Sequence, residues 1–182
     1  MLKKILLTGA GGRLGSYLRE PLTKMANELV SIDIKSEIGT LYDKETFKQI
    51  DLQDFSAIKE VSKGVDVIVH FGAIVDEAPF PELLGPNFIG SYNIWEAGYL
   101  NNVKRIIYAS SIWASCSAPF RAIYGSTKSS VNSFLRHLTS EYVDKPFYAN
   151  CLDLGWVDTP LSHQTENDPI IKAKQNRIDP KN

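Results

Sequence analysis

Tyr124 and Lys128 stand four residues apart, so on a helix their side chains share one face. A tyrosine with an ordinary pKa of about 10 is a poor base near neutrality. A lysine ammonium one turn away, together with a positively charged cofactor ring, favours the phenolate and draws that pKa toward the working range, which would make Tyr124 a proton acceptor. Upstream, Val103–Ser111 reads as the fifth strand, with the two hydroxyls of Ser110-Ser111 at its carboxyl end. A hydroxyl at the carboxyl end of a strand can hydrogen-bond a reacting oxygen and stabilise the charge that develops on it. At the N-terminus, Gly9, Gly12 and Gly15 recur every third residue between the short apolar run Lys3–Thr8 and an amphipathic stretch. Gly9 turns the chain off the strand, Gly12 lets backbone approach a pyrophosphate, and Gly15 lets the helix pack close to the sheet. Arg13 and Leu14 fall at the helix N-terminus, where unpaired N–H groups favour a phosphate.

The elements that must position these groups alternate along the chain. Lys3–Thr8 predicts a first strand, and Leu14, Tyr17, Leu18, Leu22 and Met25 predict the apolar side of a first helix. Glu28–Ile34 reads as a second strand ending near Asp33, whose carboxylate can accept hydrogen bonds from ribose hydroxyls and repel a 2′-phosphate. That favours NAD over NADP. Ser36–Lys44 is polar and irregular, and Thr46–Ile50 is a short third strand followed by Asp51-Leu52. Asp54 is a candidate N-cap for the helix after it. Val65–Ala73 is a fourth strand, nearly all apolar, with Gly72 and Ala73 leaving room at its end and His70 read as a hydrogen-bonded core residue. A helix follows to about Asn101, in which Gly90 signals close packing against the sheet. Residues 112–122 read as a loop, the helix opening at Tyr124 runs to about Val143 with a stripe of Val131, Leu135, Leu138 and Tyr142, and Phe147–Leu154 is a sixth strand. Strand-helix alternation predicts an α/β fold: a doubly wound parallel sheet of about six strands with helices on both faces, a Rossmann fold.

Composition narrows the class. The chain has 182 residues, enough for one domain with a proper core, and its 43% apolar and 23% charged content excludes disordered and fibrous classes. A net charge of −1 gives no invitation to nucleic acid, and the apolar runs are strand-length rather than membrane-length. Cys116 and Cys151 lack metal-ligand spacing and the three histidines are scattered, so no metal site is expected and reduced thiols in the cytoplasm are.

With these residues in place, the chain resembles the extended short-chain dehydrogenases/reductases, the NAD-dependent epimerase/dehydratase family. The stretches that carry the likeness are Thr8–Gly15, Asp33, His70–Ala73, Asn87-x-x-Gly90, Ser110-Ser111 and Tyr124–Lys128. Leu6–Met25 and the run from Val69 through Pro79-Phe80 to Glu96-Ala97 most resemble uronate dehydrogenases. The resemblance implies that Tyr124 is the catalytic acid/base, Lys128 its activator, Ser111 the polarising hydroxyl and Asn87 part of a proton relay. It implies NAD held by Gly9, Gly12, Arg13, Leu14, Gly15, Asp33, Asp51, Leu52, Gly72 and Ala73, with Tyr124 and Lys128, and with Asp51 meeting the adenine amino group. It further implies a sugar or sugar-acid substrate, and a homodimer or other homo-oligomer whose contact includes Phe134 and Leu138. A dinucleotide-binding domain over 1–160 would then be followed by a short segment, 161–182, in place of a full substrate lobe. The likeness is imperfect. Ile112 and Trp113 replace polar sugar-holding residues, Ile74-Val75 stand where a serine is usual, and Leu154–Pro160 looks more like the Pro-Gly motif of classical members, with leucine at the proline position. Two other readings remain: a nucleotide-sugar epimerase or dehydratase, and a non-catalytic or truncated NAD(H)-binding protein.

Overall fold

The structure is a computed structural model describing residues 1–155 and residue 157. The expected segment 161–182, and Pro160 with most of the motif before it, lie outside the described residues. Among those described, six parallel strands form one sheet: β1 (Leu2–Thr8), β2 (Ala26–Asp33), β3 (Glu45–Gln49), β4 (Val67–His70), β5 (Arg105–Ser111) and β6 (Tyr148–Leu154). Their order is β3-β2-β1-β4-β5-β6, and the parallel, doubly wound arrangement is the one the alternation predicted. From β1 the chain winds outward to β2 and β3, then returns to β4 and winds the other way, so the crevice opens between β1 and β4. Thr8 is in register with both Ile32 and His70, and His70 with Tyr108, which brings the carboxyl ends of four strands to one edge.

Helices cover both faces because neighbouring strand residues point to opposite sides. Ile5 and Leu7 join Leu29, Val69 and Leu22 of α1 (Arg13–Thr23) on one face. Leu6, Ile32, Ile68 and Ile106 face the other way, toward α2 (Phe55–Val61), α4 (Gly90–Leu100) and α5 (Ala122–Glu141). α2 starts as expected, with Asp54 Oδ1 accepting the Ala57 N–H at 3.0 Å. Ahead of α4 the chain runs through α3 (Phe80–Leu83) and a π-helical stretch, Leu84–Ile89. Pro86 has no N–H to give to the helical ladder, and the widened turn is the local answer to that missing donor.

Four expectations are corrected. Tyr17 and Met25 are exposed, and α1 instead buries Gly15, Arg19, Leu22 and Thr23. A buried arginine was not anticipated because its partner lies 26 residues on in sequence, at the start of β3. Arg19 makes two bonds to the Glu45 carboxylate, at 2.7 and 2.9 Å, and two more to the Ile38 and Thr40 carbonyls. Burial works to raise the Glu45 pKa, but hydrogen bonds from Arg19, Ser31 and Tyr42 outweigh it and hold the carboxyl ionised. This buried pair pins the irregular segment after Asp33. Gly90 packs against Leu52 rather than the sheet, since a Cβ there would lie 2.7 Å from the Leu52 Cβ. Leu138 is buried in its own chain's core, and Phe134 packs edge-on to Trp95, so Leu138 is not offered to a second copy. β4 is shorter than the apolar run implied, ending at His70 so that Gly72 and Ala73 belong to the crevice.

Candidate active site

A cavity of about 1560 Å³ runs along the carboxyl edge of the sheet. Of the residues singled out from sequence, all but one line it: Gly9, Gly12, Arg13, Leu14, Gly15 and Asp33 at one end, Asp51, Leu52, Gly72 and Ala73 along its length, and Ser111, Tyr124 and Lys128 at the other. Asn87 is the exception. It is fully buried in the π-helical stretch, its Oδ1 accepting the Ile74 N–H at 2.8 Å and its Nδ2 donating to the Ile74 carbonyl and the Thr127 hydroxyl. It braces the cavity wall instead of facing the cavity.

The glycine end is built from backbone. Gly9 has a φ of +69°, and a Cβ there would stand 2.6 Å from the Gly72 nitrogen. That position therefore admits only glycine without strain. A Cβ on Gly15 would collide with the Gly9 carbonyl, so Gly15 seats the helix on the glycine turn itself. α1 begins at Gly12 with no side-chain cap and no acidic residue in its first turn. Its first N–H groups are thus available to an anion, where the helix dipole also favours negative charge. Asp33 is buried and oriented, its Oδ2 accepting the Gly11 N–H at 2.8 Å and its Oδ1 the Lys35 N–H at 3.1 Å. Each carboxylate oxygen keeps a further lone pair for a hydroxyl donor. Asp51 is held by the Gln53 N–H at 2.9 Å. A backbone cradle for phosphate, then an oriented carboxylate one strand away, fits an extended dinucleotide.

At the far end the groups are side chains. Tyr124 is buried in the first turn of α5, and Lys128 lies one turn on with its Nζ 5.8 Å from the Tyr124 ring centre. The Ser111 hydroxyl lies near enough to the Tyr124 phenol to work against the rise in its pKa, and accepts the Trp113 N–H at 3.3 Å. Burial pushes the Tyr124 phenol above its ordinary range, with Ser111 and the Arg121 charge acting against it. The lowering expected from sequence joins Lys128 with a bound nicotinamide ring; in the protein by itself, desolvation of the phenolate outweighs the Arg121 charge. Burial pulls the Lys128 ammonium down to about 8. Its Nζ donates to the Ala109 carbonyl at 2.9 Å and to the Tyr108 hydroxyl at 3.2 Å. The neighbouring Ser110 hydroxyl lines the cavity, buried and with no partner among the described residues.

A buried polar chain beneath the cavity joins the two ends. Thr8 Oγ1 accepts the Gly72 N–H at 3.0 Å and lies 2.6 Å from His70 Nδ1, to which it donates because the other ring nitrogen of the neutral imidazole carries the proton. His70 Nε2 then carries the proton and donates to Ser91 Oγ at 3.2 Å, while Ser91 donates to the Asn87 carbonyl. Tyr108 bonds the same serine and receives Lys128. Burial, with the Lys128 charge added, lowers the His70 pKa to about 3, which keeps the ring neutral. His70 is the hydrogen-bonded core residue the sequence suggested.

Sequence reasoning missed Glu77 and the Asp76–Arg121 ion pair. Glu77 Oε1 and Oε2 accept the Ile123 and Tyr124 N–H groups, each at 2.9 Å, and Asp76 meets Arg121 at 2.5 Å. One signal pointed to such a partner: α5 opens at Arg121, a residue that cannot cap it, with no acidic residue in the first turn.

Comparison with known proteins agrees with this geometry. The model of the NAD dependent epimerase/dehydratase family matches residues 5–147. The chain belongs to that family. Within it, the chain is 43% identical over 108 residues to a uronate dehydrogenase of Pseudomonas syringae pv. tomato, covering 59% of this chain and 39% of that protein. A uronate dehydrogenase of Agrobacterium fabrum is 41% identical over 110 residues, covering 60% and 41%. The crystal structure of a uronate dehydrogenase variant from Agrobacterium tumefaciens, complexed with NAD, superposes with a TM-score of 0.72 at 32% identity, over 78% of this chain and 58% of that one. The chain thus spans about two-fifths of the length of the curated relatives it matches.

Proposed function

We propose that the chain is an NAD-dependent oxidoreductase acting on a hydroxyl-bearing carbon of a sugar acid, with oxidation of a uronic acid at its anomeric carbon to the lactone as the reaction to test. The observation that carries this reading is one cavity with a backbone phosphate cradle at one end and a Ser111–Tyr124–Lys128 cluster at the other. In this reading the first turn of α1 binds the pyrophosphate, Asp33 accepts the adenosine ribose hydroxyls, and Asp51 faces the adenine. NAD, when bound, supplies the hydride acceptor and a positive ring near the phenol. Tyr124 takes the hydroxyl proton of the substrate as the carbon–oxygen double bond forms. Ser111 hydrogen-bonds the same oxygen and keeps it within reach of the phenol. Lys128 adds positive charge beneath both groups, favouring the phenolate that burial alone opposes. Asn87 acts by bracing Ile74 and Thr127, not by carrying the proton.

One observation favours a less polar substrate for the same chemistry: Ile74, Val75, Ile112 and Trp113 line the cavity beside Tyr124. The test covers both. NADH fluorescence is followed while NAD, then NADP, is offered with uronic acids, neutral aldoses and simple secondary alcohols. Growth with NAD and a uronate alone supports the proposal. Growth with an alcohol alone moves the substrate to the apolar class, and NADH binding without turnover of any compound overturns the enzymatic reading. Two copies associating through the exposed side of α4 and α5, where Tyr92 is exposed and Phe134 half-buried, is the oligomer this reading carries, and light scattering checks it.

A further inference from the structure

We infer that Glu77 is the positioning residue for Tyr124: from the loop between β4 and α3, its carboxylate holds the first turn of α5 and so sets where the phenol stands. The inference rests on the oxidoreductase reading for its kinetic consequence, and on geometry alone for its structural one. A helix leaves its first N–H groups without intrahelical partners, and a buried helix start needs them satisfied. α5 does not do this from its own sequence, because Arg121 at the cap position makes no side-chain cap bond and the first turn holds no acid. Glu77 supplies the missing acceptors from 46 and 47 residues away, one carboxylate oxygen to the Ile123 N–H and the other to the Tyr124 N–H, both at 2.9 Å. The bonded amide is that of Tyr124 itself, so the backbone from which the phenol projects is fixed at its root. A carboxylate at a helix N-terminus also meets the positive end of the dipole.

Two further ties make the clamp specific to this loop. Asp76, next to Glu77, pairs with Arg121, and Asn87 bonds both Ile74 and the Thr127 hydroxyl. Residues 74–77 are thereby fastened to residues 121–127 at three levels. The same loop lines the cavity through Ile74, Val75 and Asp76. Whatever seats against that wall is therefore coupled, through Glu77, to the placement of Tyr124. Glu77 itself is absent from the cavity lining and acts only through the backbone it holds.

The test compares Glu77→Ala and the near-isosteric Glu77→Gln with the wild-type chain. With the compound that turns over best, kcat falls about tenfold or more in Glu77→Ala, the size expected on losing hydrogen bonds to a charged group. The dissociation constant for NADH stays within about twofold, since the glycine cradle is untouched. Amide hydrogen exchange at Ile123 and Tyr124 speeds by about tenfold in both variants while Val131–Leu138 keeps its protection. If Glu77→Ala does not fold, Glu77→Gln decides, because it keeps the volume and one acceptor but sets an N–H against an N–H. A folded variant with unchanged kcat and unchanged exchange overturns the inference, and so does one that loses stability but keeps kcat per folded molecule. If the wild-type chain turns over no compound, the oxidoreductase reading fails separately. The clamp is then judged on exchange and on the ring-carbon NMR shift of Tyr124, which must move in Glu77→Gln while the other tyrosines stay.

Discussion

At the Gly9–Gly15 end of the cavity the groups that face a ligand are backbone N–H groups within one strand-turn-helix unit. At the Tyr124 end they are side chains, placed by segments as far apart as β4, the β5 terminus and α5. The first end needs only that no Cβ intrudes, a condition written in three residues. The second needs Ser111, Tyr124 and Lys128 aligned by partners that are distant in sequence: Glu77 on the α5 backbone, Tyr108 on the Lys128 ammonium, Asn87 between wall and helix. The difference teaches where each end fails. On the proposed function, the cradle fails by added atoms, and the Tyr124 end by lost alignment or a lost hydroxyl.

The largest effect should come from the side-chain end. Tyr124→Phe removes the only hydroxyl proposed to take a proton, and kcat is expected to fall by about 10²–10⁴, the usual contribution of a positioned acid or base. NADH affinity should stay within about twofold, because the cradle is backbone. Retained turnover would remove Tyr124 from the mechanism. At the other end, Gly9→Ala forces a side chain to a φ of +69° and against the Gly72 nitrogen. NADH binding should weaken by about tenfold to a hundredfold, as expected for strain of a few kcal/mol at a ligand-contacting turn. Equal affinity in that variant would mean that the cradle tolerates a Cβ and is not the pyrophosphate site.

A smaller effect probes the polar chain joining the two ends. His70 has its pKa lowered to about 3 by burial, below the ordinary 6.5 of the unfolded chain. Between those values the unfolded state binds more protons, so stability is fully present above the unfolded pKa and is lost as pH falls through that window. Urea unfolding should show a loss of about 2 kcal/mol between about pH 7 and pH 5 from this group. His70→Gln should flatten that slope. An identical slope would place the titration elsewhere.

How legible each end was follows from the same contrast. The glycine turn, Asp33 and the parallel doubly wound sheet could be read directly, since each is local or set by period: Gly9, Gly12 and Gly15 fall within one turn, and the strand-helix alternation gives the sheet its class. The identities of Ser111, Tyr124 and Lys128 were legible too, by spacing and by the place where a strand ends. Their environment was not. The uncapped start of α5 at Arg121 calls for an acceptor, but nothing within residues 112–128 says that Glu77 supplies it, because the clamp spans two elements and depends on how the loop after β4 docks on α5. The rise of the Tyr124 phenol in the protein by itself was hidden for the same reason. Spacing gives the neighbouring lysine, but only packing gives the burial that sets the direction of the shift. Leu138 and the outward Tyr17 likewise show that helical spacing finds a stripe without saying which side the core takes.

The central claim is that this cavity moves a hydride from a hydroxyl-bearing carbon to a nicotinamide. It is tested most directly with a uronic acid deuterated at the anomeric carbon, incubated with NAD and the protein, and mass analysis of the recovered NADH. The account predicts that the deuterium appears in the NADH ring, and that Tyr124→Phe all but abolishes the labelled product. NADH that binds the wild-type chain while no deuterium is ever transferred, from the uronate or from any similarly labelled alcohol, would contradict it.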